Sequence, residues 1–161
     1  MLTDWLYRTV LVCLLLAAYL WAWPPARTLW TAQSAALLEH LVDARAADGA
    51  VAGSPDGHVL RVTVNDTTGK YTAPAGVKFL LPAGFLVLVA PRRPRVGTFF
   101  AGHLLLGGLA LGLLAGCTAG LPGGFGLSRF LQTYVVDAYS LAVPVLAFAR
   151  TRYVEQPTRN V

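Results

Sequence analysis

Residues 97–121 carry no charged side chain, and Gly108, Gly112, Gly116 and Gly120 recur inside this stretch at every fourth position. The length matches about one bilayer crossing, so the segment reads as a transmembrane helix with a flat glycine face. A glycine inside a helix sacrifices roughly 1 kcal/mol relative to alanine. Four on one stripe therefore point to another helix backbone approaching closely, a glycine-zipper type of contact. The feature speaks of packing rather than catalysis.

The rest of the 161 residues agrees with a membrane class, being 55% hydrophobic and 13% charged with a mean hydropathy of +0.55. Four apolar stretches are expected as spans, at about 6–23, 73–90, 97–121 and 130–149. The second contains Pro74, Gly76, Lys78, Pro82 and Gly84 and reads as a kinked span. The predicted fold is an all-α integral membrane protein, one polytopic domain over 1–161, with a small extracytoplasmic α+β insertion at about 24–72.

Charge placement orients it. With a cytoplasmic N-terminus and four spans, Arg8, Arg92, Arg93, Arg95, Arg150, Arg152 and Arg159 lie inside against Asp4 and Glu155. The outer side, Arg27 included, balances five cations against five acids. The Pro91-Arg92-Arg93-Pro94-Arg95 turn is the strongest cytoplasmic and lipid-contact marker. Both termini are thus expected in the cytoplasm of an inner, plasma-membrane protein. Nucleic acid is not expected as a partner, because a basic, aromatic-interleaved soluble face is missing from the sequence. The first span lacks a small-x-small cleavage site and reads as an uncleaved anchor. Leu114-Ala115-Gly116-Cys117 has lipobox character but lies deep in the chain.

In the insertion, Pro24-Pro25 is expected to end the first helix and start a second, amphipathic one over about Thr28–Ala47. Ser54-Pro55-Asp56-Gly57 then joins Ala50–Ala52 to His58–Val64 as a hairpin, with Leu60, Val62 and Val64 on one face. Asp66-Thr67-Thr68-Gly69 reads as a strand-ending Asx turn rather than a catalytic signature.

Chemistry is sparse. Glu39, His40 and Asp43 form an outer polar face, while His58 and His103 sit in other elements, a spread without metal-ligand spacing. No cofactor, metal or catalytic residue is expected. Cys13 and Cys117 fall near opposite leaflets and read as packing residues. Lys78 and Asp137 lie within spans at matched depths of roughly 8 and 10 Å. They form a candidate interhelical ion pair, with Gln132, Tyr134 or Tyr139 as alternative partners for Asp137. His103 is expected too far below to join them.

The order of a short anchor, an extracytoplasmic helix with the strand Val59–Val64, the proline-interrupted Phe79-Leu80-Leu81-Pro82-Ala83-Gly84-Phe85, an arginine turn and two more spans resembles small membrane proteins associated with bacterial exosortase systems. The resemblance covers architecture and implies an accessory role in processing or sorting exported proteins. Exosortases use a Cys, Arg and His set; Cys13, Cys117 and His103 do not form one recognisably, so no catalytic residue carries over.

The functional expectation is a non-catalytic accessory or assembly subunit of a cell-envelope complex, in contact with lipid and with a membrane-protein partner or another copy of itself. The alternatives are a small transporter or channel component using Lys78 and Asp137, and a membrane enzyme using the outer acids.

Overall fold

The computed structural model describes residues 2–43, 49–53, 57–89 and 96–155. Helix α1 is Leu2–Asp43, and strands β1 (Gly49–Gly53), β2 (Val59–Val64) and β3 (Thr67–Thr72) follow. A 3-10 turn at Val77–Phe79 leads into α2 (Leu80–Val89), and α3 is Val96–Thr118. The last arm runs through α4 (Gly124–Phe130), a π-helical segment (Leu131–Val135) and α5 (Val136–Glu155). Arg92, Arg93 and Arg95, and the Ser54–Asp56 part of the expected hairpin turn, lie outside the described residues.

Helix α1 corrects the expected break, because Pro24 and Pro25 stand inside a single 42-residue helix. Each proline removes an N–H donor and crowds the carbonyl four residues back. The helix persists because one stripe on both flanks is tied to the same short segment. Tyr19 Oη and Trp23 Nε1 donate to the Ala75 carbonyl at 3.1 and 2.8 Å, and Arg27 Nη2 reaches the Ala73 carbonyl at 3.4 Å. Residues 19, 23 and 27 share a face by their four-residue spacing, and the prolines lie off it.

The sheet is an antiparallel meander in the order β1-β2-β3, one strand more than the expected hairpin. Asn65 and Asp66, both at positive φ (46° and 62°), make the two-residue turn that joins β2 to β3. Positive φ at both central positions is what a type I′ hairpin requires. Leu60, Val62 and Val64 are buried on one face of β2, as their alternation predicts, and pack with Leu38 of α1, Tyr71 of β3, and Ala110 and Leu114 of α3. Trp30 Nε1 donates to Tyr71 Oη at 2.7 Å. The sheet is thus fixed on the upper part of the helices by a shared apolar core.

A second core lies below it, where Phe79, Ala83, Leu86, Phe99 and Ala147 are buried. The Phe79, Phe99 and Tyr139 rings stack in succession, with centroids 5.2 and 5.4 Å apart.

The structure is mostly helical, and three of its described helical stretches, α1, α3 and the α4–α5 arm, are long and apolar enough to cross a membrane. The stretch Val77–Val89 is shorter. The Pro74-Ala75-Gly76 sequence, which does not continue a helix, shortens the expected second span to a 3-10 turn and ten α-helical residues.

Candidate functional site

Where the sheet meets the helices, a cleft of about 880 Å³ is lined by β3, the Ala73–Phe79 segment, α3 and the α4–α5 arm. Its floor is built from local rules. Ala75 holds a left-handed conformation (φ 51°) that a residue with a Cβ seldom adopts. The Tyr19 and Trp23 hydrogen bonds to its carbonyl hold that turn in place. At Gly107 of α3 a Cβ would stand 2.8 Å from the Pro74 ring, so glycine is what lets the segment lie against the helix.

The opposite wall is shaped by the π segment, whose widened turn has Val136 N–H bonding back to the Leu131 carbonyl. Gln132 on this turn faces the outer edge of β3. Its Oε1 accepts from Thr72 N–H at 2.8 Å, and its Nε2 donates to the Lys70 carbonyl at 3.2 Å and to Ser128 Oγ at 3.0 Å. A side-chain amide thereby covers part of a strand edge that otherwise invites pairing.

Lys78 Nζ stands 3.1 Å from Asp137 Oδ2 and 3.2 Å from Oδ1 across this cleft. The side chains are 82% and 42% uncovered by protein, so the pair sits at the rim rather than sealed between helices. Gln132, whose nearness in the chain made it an alternative partner for Asp137, is instead engaged with β3 and Ser128.

His103, expected too far below to join Lys78 and Asp137, lines the same cleft, but its ring nitrogens meet Ser140 and the Phe99 carbonyl rather than that pair. One turn beyond Asp137, Ser140 Oγ lies 3.0 Å from His103 Nε2, while His103 Nδ1 lies 3.1 Å from the Phe99 carbonyl. A carbonyl only accepts, so Nδ1 carries a proton and donates to Phe99. Ser140 has a single hydroxyl proton, which faces the Val136 carbonyl 2.7 Å away. The arrangement ties α3 to α5, with the His103 ring set among those of Phe79, Phe99 and Tyr139.

The glycine stripe is placed differently from expectation. A Cβ on Gly108 or Gly112 would meet nothing within 4 Å, and one on Gly116 would meet only the Leu121 side chain that follows in the chain. Gly120 lies beyond the helix at φ 85°. Among the described residues no helix backbone approaches the stripe; close approaches fall elsewhere, at Gly107 on Pro74, at Gly102 on Tyr139, at Gly124 on Leu113 and Cys117, and at Gly69, where a Cβ would collide with the Phe125 ring. Four-residue spacing marks a flat face but not what covers it.

The acids Glu39 and Asp43 and His40 are exposed on α1. Gly57, next to His58, lies against Thr28, and eleven residues of helix, roughly 16 Å, separate Thr28 from Glu39. The outer acids and His58 therefore do not converge. Cys13 is exposed and Cys117 buried, both as free thiols.

Charge counting along the sequence places Arg27 among the outer-loop cations. In the fold it is 9% exposed, lines the cleft, and its Nε is buried without a hydrogen-bond partner. Lys70 and Arg129 line the same cleft. The cleft thus carries four cations, Arg27, Lys70, Lys78 and Arg129, against the single carboxylate of Asp137. The signal for Arg27 was its place four residues after Trp23 and eight after Tyr19, on the stripe that grips the Ala73–Ala75 segment. Comparison with family models, with curated proteins and with solved structures gives no match for this chain.

Proposed function

We propose that the chain is a multi-pass membrane subunit that binds rather than reacts, presenting an outward cationic cleft and assembling with other membrane proteins of the cell envelope. The observation that carries this reading is the cleft at the seam of cap and bundle, walled by segments that the shared apolar core holds in register. The accessory role implied by the resemblance to exosortase-associated proteins fits the same geometry and belongs to the proposal.

Four crossings fit the placement of α2. Arg27 meets the Ala73 carbonyl and Arg8 Nη1 meets the Leu88 carbonyl at 2.6 Å. Between those two arginines α1 rises nineteen residues, roughly 28 Å, close to the thickness of a hydrocarbon core. The extended residues after β3, the 3-10 turn and α2 cover the same height between them. A helix too short to cross alone is thus completed by extended backbone, whose polar groups are met by Tyr19, Trp23 and Arg27 as backbone at membrane depth demands. Four crossings put both termini on one side, and Arg92, Arg93 and Arg95 make that side the cytoplasm in this proposal, with the sheet outside.

The transporter alternative is favoured by the presence of Lys78, Asp137, His103 and Ser140 in one cleft. Below His103, however, Phe79, Phe99, Ala83, Leu86 and Ala147 fill the bundle. Passage through that plug needs the stacked rings to separate, whereas binding needs no such movement. The test is mild-detergent purification of the full chain from its own membranes. A membrane protein recovered in fixed stoichiometry and lost from the Arg129→Gln variant supports the subunit reading. Recovery of wild-type chain as a monomer without any stoichiometric companion overturns it.

A further inference from the structure

Arg27 combines three properties that a structural arginine does not combine. It is more than nine-tenths buried, its Nε has no partner, and the hydrogen bond its side chain makes, from Nη2 to the Ala73 carbonyl, is long at 3.4 Å. A guanidinium cannot shed its proton at any accessible pH, so burial cannot be relieved by neutralisation, as it can for lysine. The only ion pair among the described residues is Lys78–Asp137, which leaves Arg27 without a carboxylate there. Nε and Nη2 form the side-on fork of the guanidinium, the geometry that takes two oxygens of one oxyanion.

We propose that this fork is the anchor of a phosphate-binding site in the seam cleft, with Arg129 and Lys70 at its mouth. The inference rests on the reading of the chain as a binding subunit and names the chemistry of its ligand. A single carboxylate leaves most of this positive charge uncompensated, whereas a phosphate carries up to two negative charges and can be shared among several cations. The cleft has room for more than an ion, and its lining continues into the uncovered apolar side chain of Val77. Phosphate borne on a lipid and phosphate on a soluble ester share the headgroup chemistry, and the experiment separates them.

The full chain in maltoside detergent is titrated with dioctanoyl phosphatidate, dioctanoylglycerol and glycerol 3-phosphate while its unfolding temperature is followed. Phosphatidate is expected to raise the midpoint by about 4 °C or more at saturation, with dioctanoylglycerol inert. A matching rise with glycerol 3-phosphate identifies soluble phosphate esters as ligands; its absence identifies lipid-borne phosphate. Arg27→Met is expected to weaken the response roughly tenfold or more, read against its own ligand-free midpoint, because the variant also removes the hydrogen bond to the Ala73 carbonyl. Loss of a purely structural arginine lowers that midpoint and leaves the phosphate-dependent shift intact. Arg129→Gln, at the exposed mouth, weakens the response without touching the fold. No phosphate-dependent shift, an equal shift with dioctanoylglycerol, or a shift retained in both variants overturns the site. Co-purification in fixed stoichiometry is read separately, so a failed titration leaves the subunit reading standing and a failed co-purification does not alter the titration.

Discussion

Tyr71 is the side chain through which pH acts on the cap. It is fully buried, and burial pushes its phenol up to about 12 from the usual 10. A folded-state value above the unfolded one gives stability that is complete below pH 10 and lost as pH rises toward 12, because the unfolded chain releases the proton first. The shift corresponds to roughly 3 kcal/mol. Chemical denaturation at pH 9 and pH 11.5 is expected to show the loss in wild type and a smaller one in Tyr71→Phe. That variant is also expected to be about 1–2 kcal/mol less stable at pH 8, since the Trp30 indole N–H loses its acceptor. At the cleft rim, a double-mutant cycle with Lys78→Met and Asp137→Asn is expected to give a coupling of at most about 1 kcal/mol, the value of a solvent-accessible pair. A coupling several times larger means that the pair is desolvated by lipid or by a partner. Matched depth made these two residues legible in the sequence. Arg27 was not, because charge counting assigns a residue to a side of the membrane without saying whether it is buried.

Among the elements, β2 was legible from its alternation, while β3 was hidden by composition. Thr67-Thr68-Gly69-Lys70-Tyr71-Thr72 has only Gly69 and Tyr71 on its buried face. The gap above Gly69 is filled from another element, by Phe125. Local sequence cannot reveal a face completed by a residue so distant along the chain. Pro24-Pro25 misled for a related reason, since local sterics predict a break and tertiary hydrogen bonds to Ala73 and Ala75 override it. On α3 the contrast between glycines becomes a measurement. Gly107→Ala presses a methyl on the rigid Pro74 ring and is expected to cost about 1–3 kcal/mol. Gly112→Leu meets open space and is expected to leave monomer stability within about 0.5 kcal/mol. Thermal unfolding of both variants in detergent checks the order. If Gly112→Leu proves the worse variant, or shrinks the particle on size exclusion, the stripe is covered by another chain.

At the scale of the whole molecule, the decisive quantity is whether α2 and its extended lead-in together cross the bilayer. Helix length sets this stretch below the other three, because its proline-rich, partly extended lead-in leaves too few helical residues to span alone. The contacts at its two ends, Arg27 to Ala73 above and Arg8 to Leu88 below, give it nonetheless a height of roughly 28 Å beside α1. A crossing puts the β2–β3 turn and the Arg92–Arg95 cluster on opposite sides, with arginines inside as orientation by positive charge requires. In a chain with Cys13 and Cys117 replaced by alanine, single cysteines at Asp66 and at Arg93 report this directly. A membrane-impermeant maleimide applied to intact cells is expected to label the cysteine at Asp66 and to reach the one at Arg93 only after the membrane is opened. The inverse pattern reverses the orientation. Labelling of both from outside means that α2 dips into the membrane and returns to the same face, which leaves three crossings and puts the termini on opposite sides.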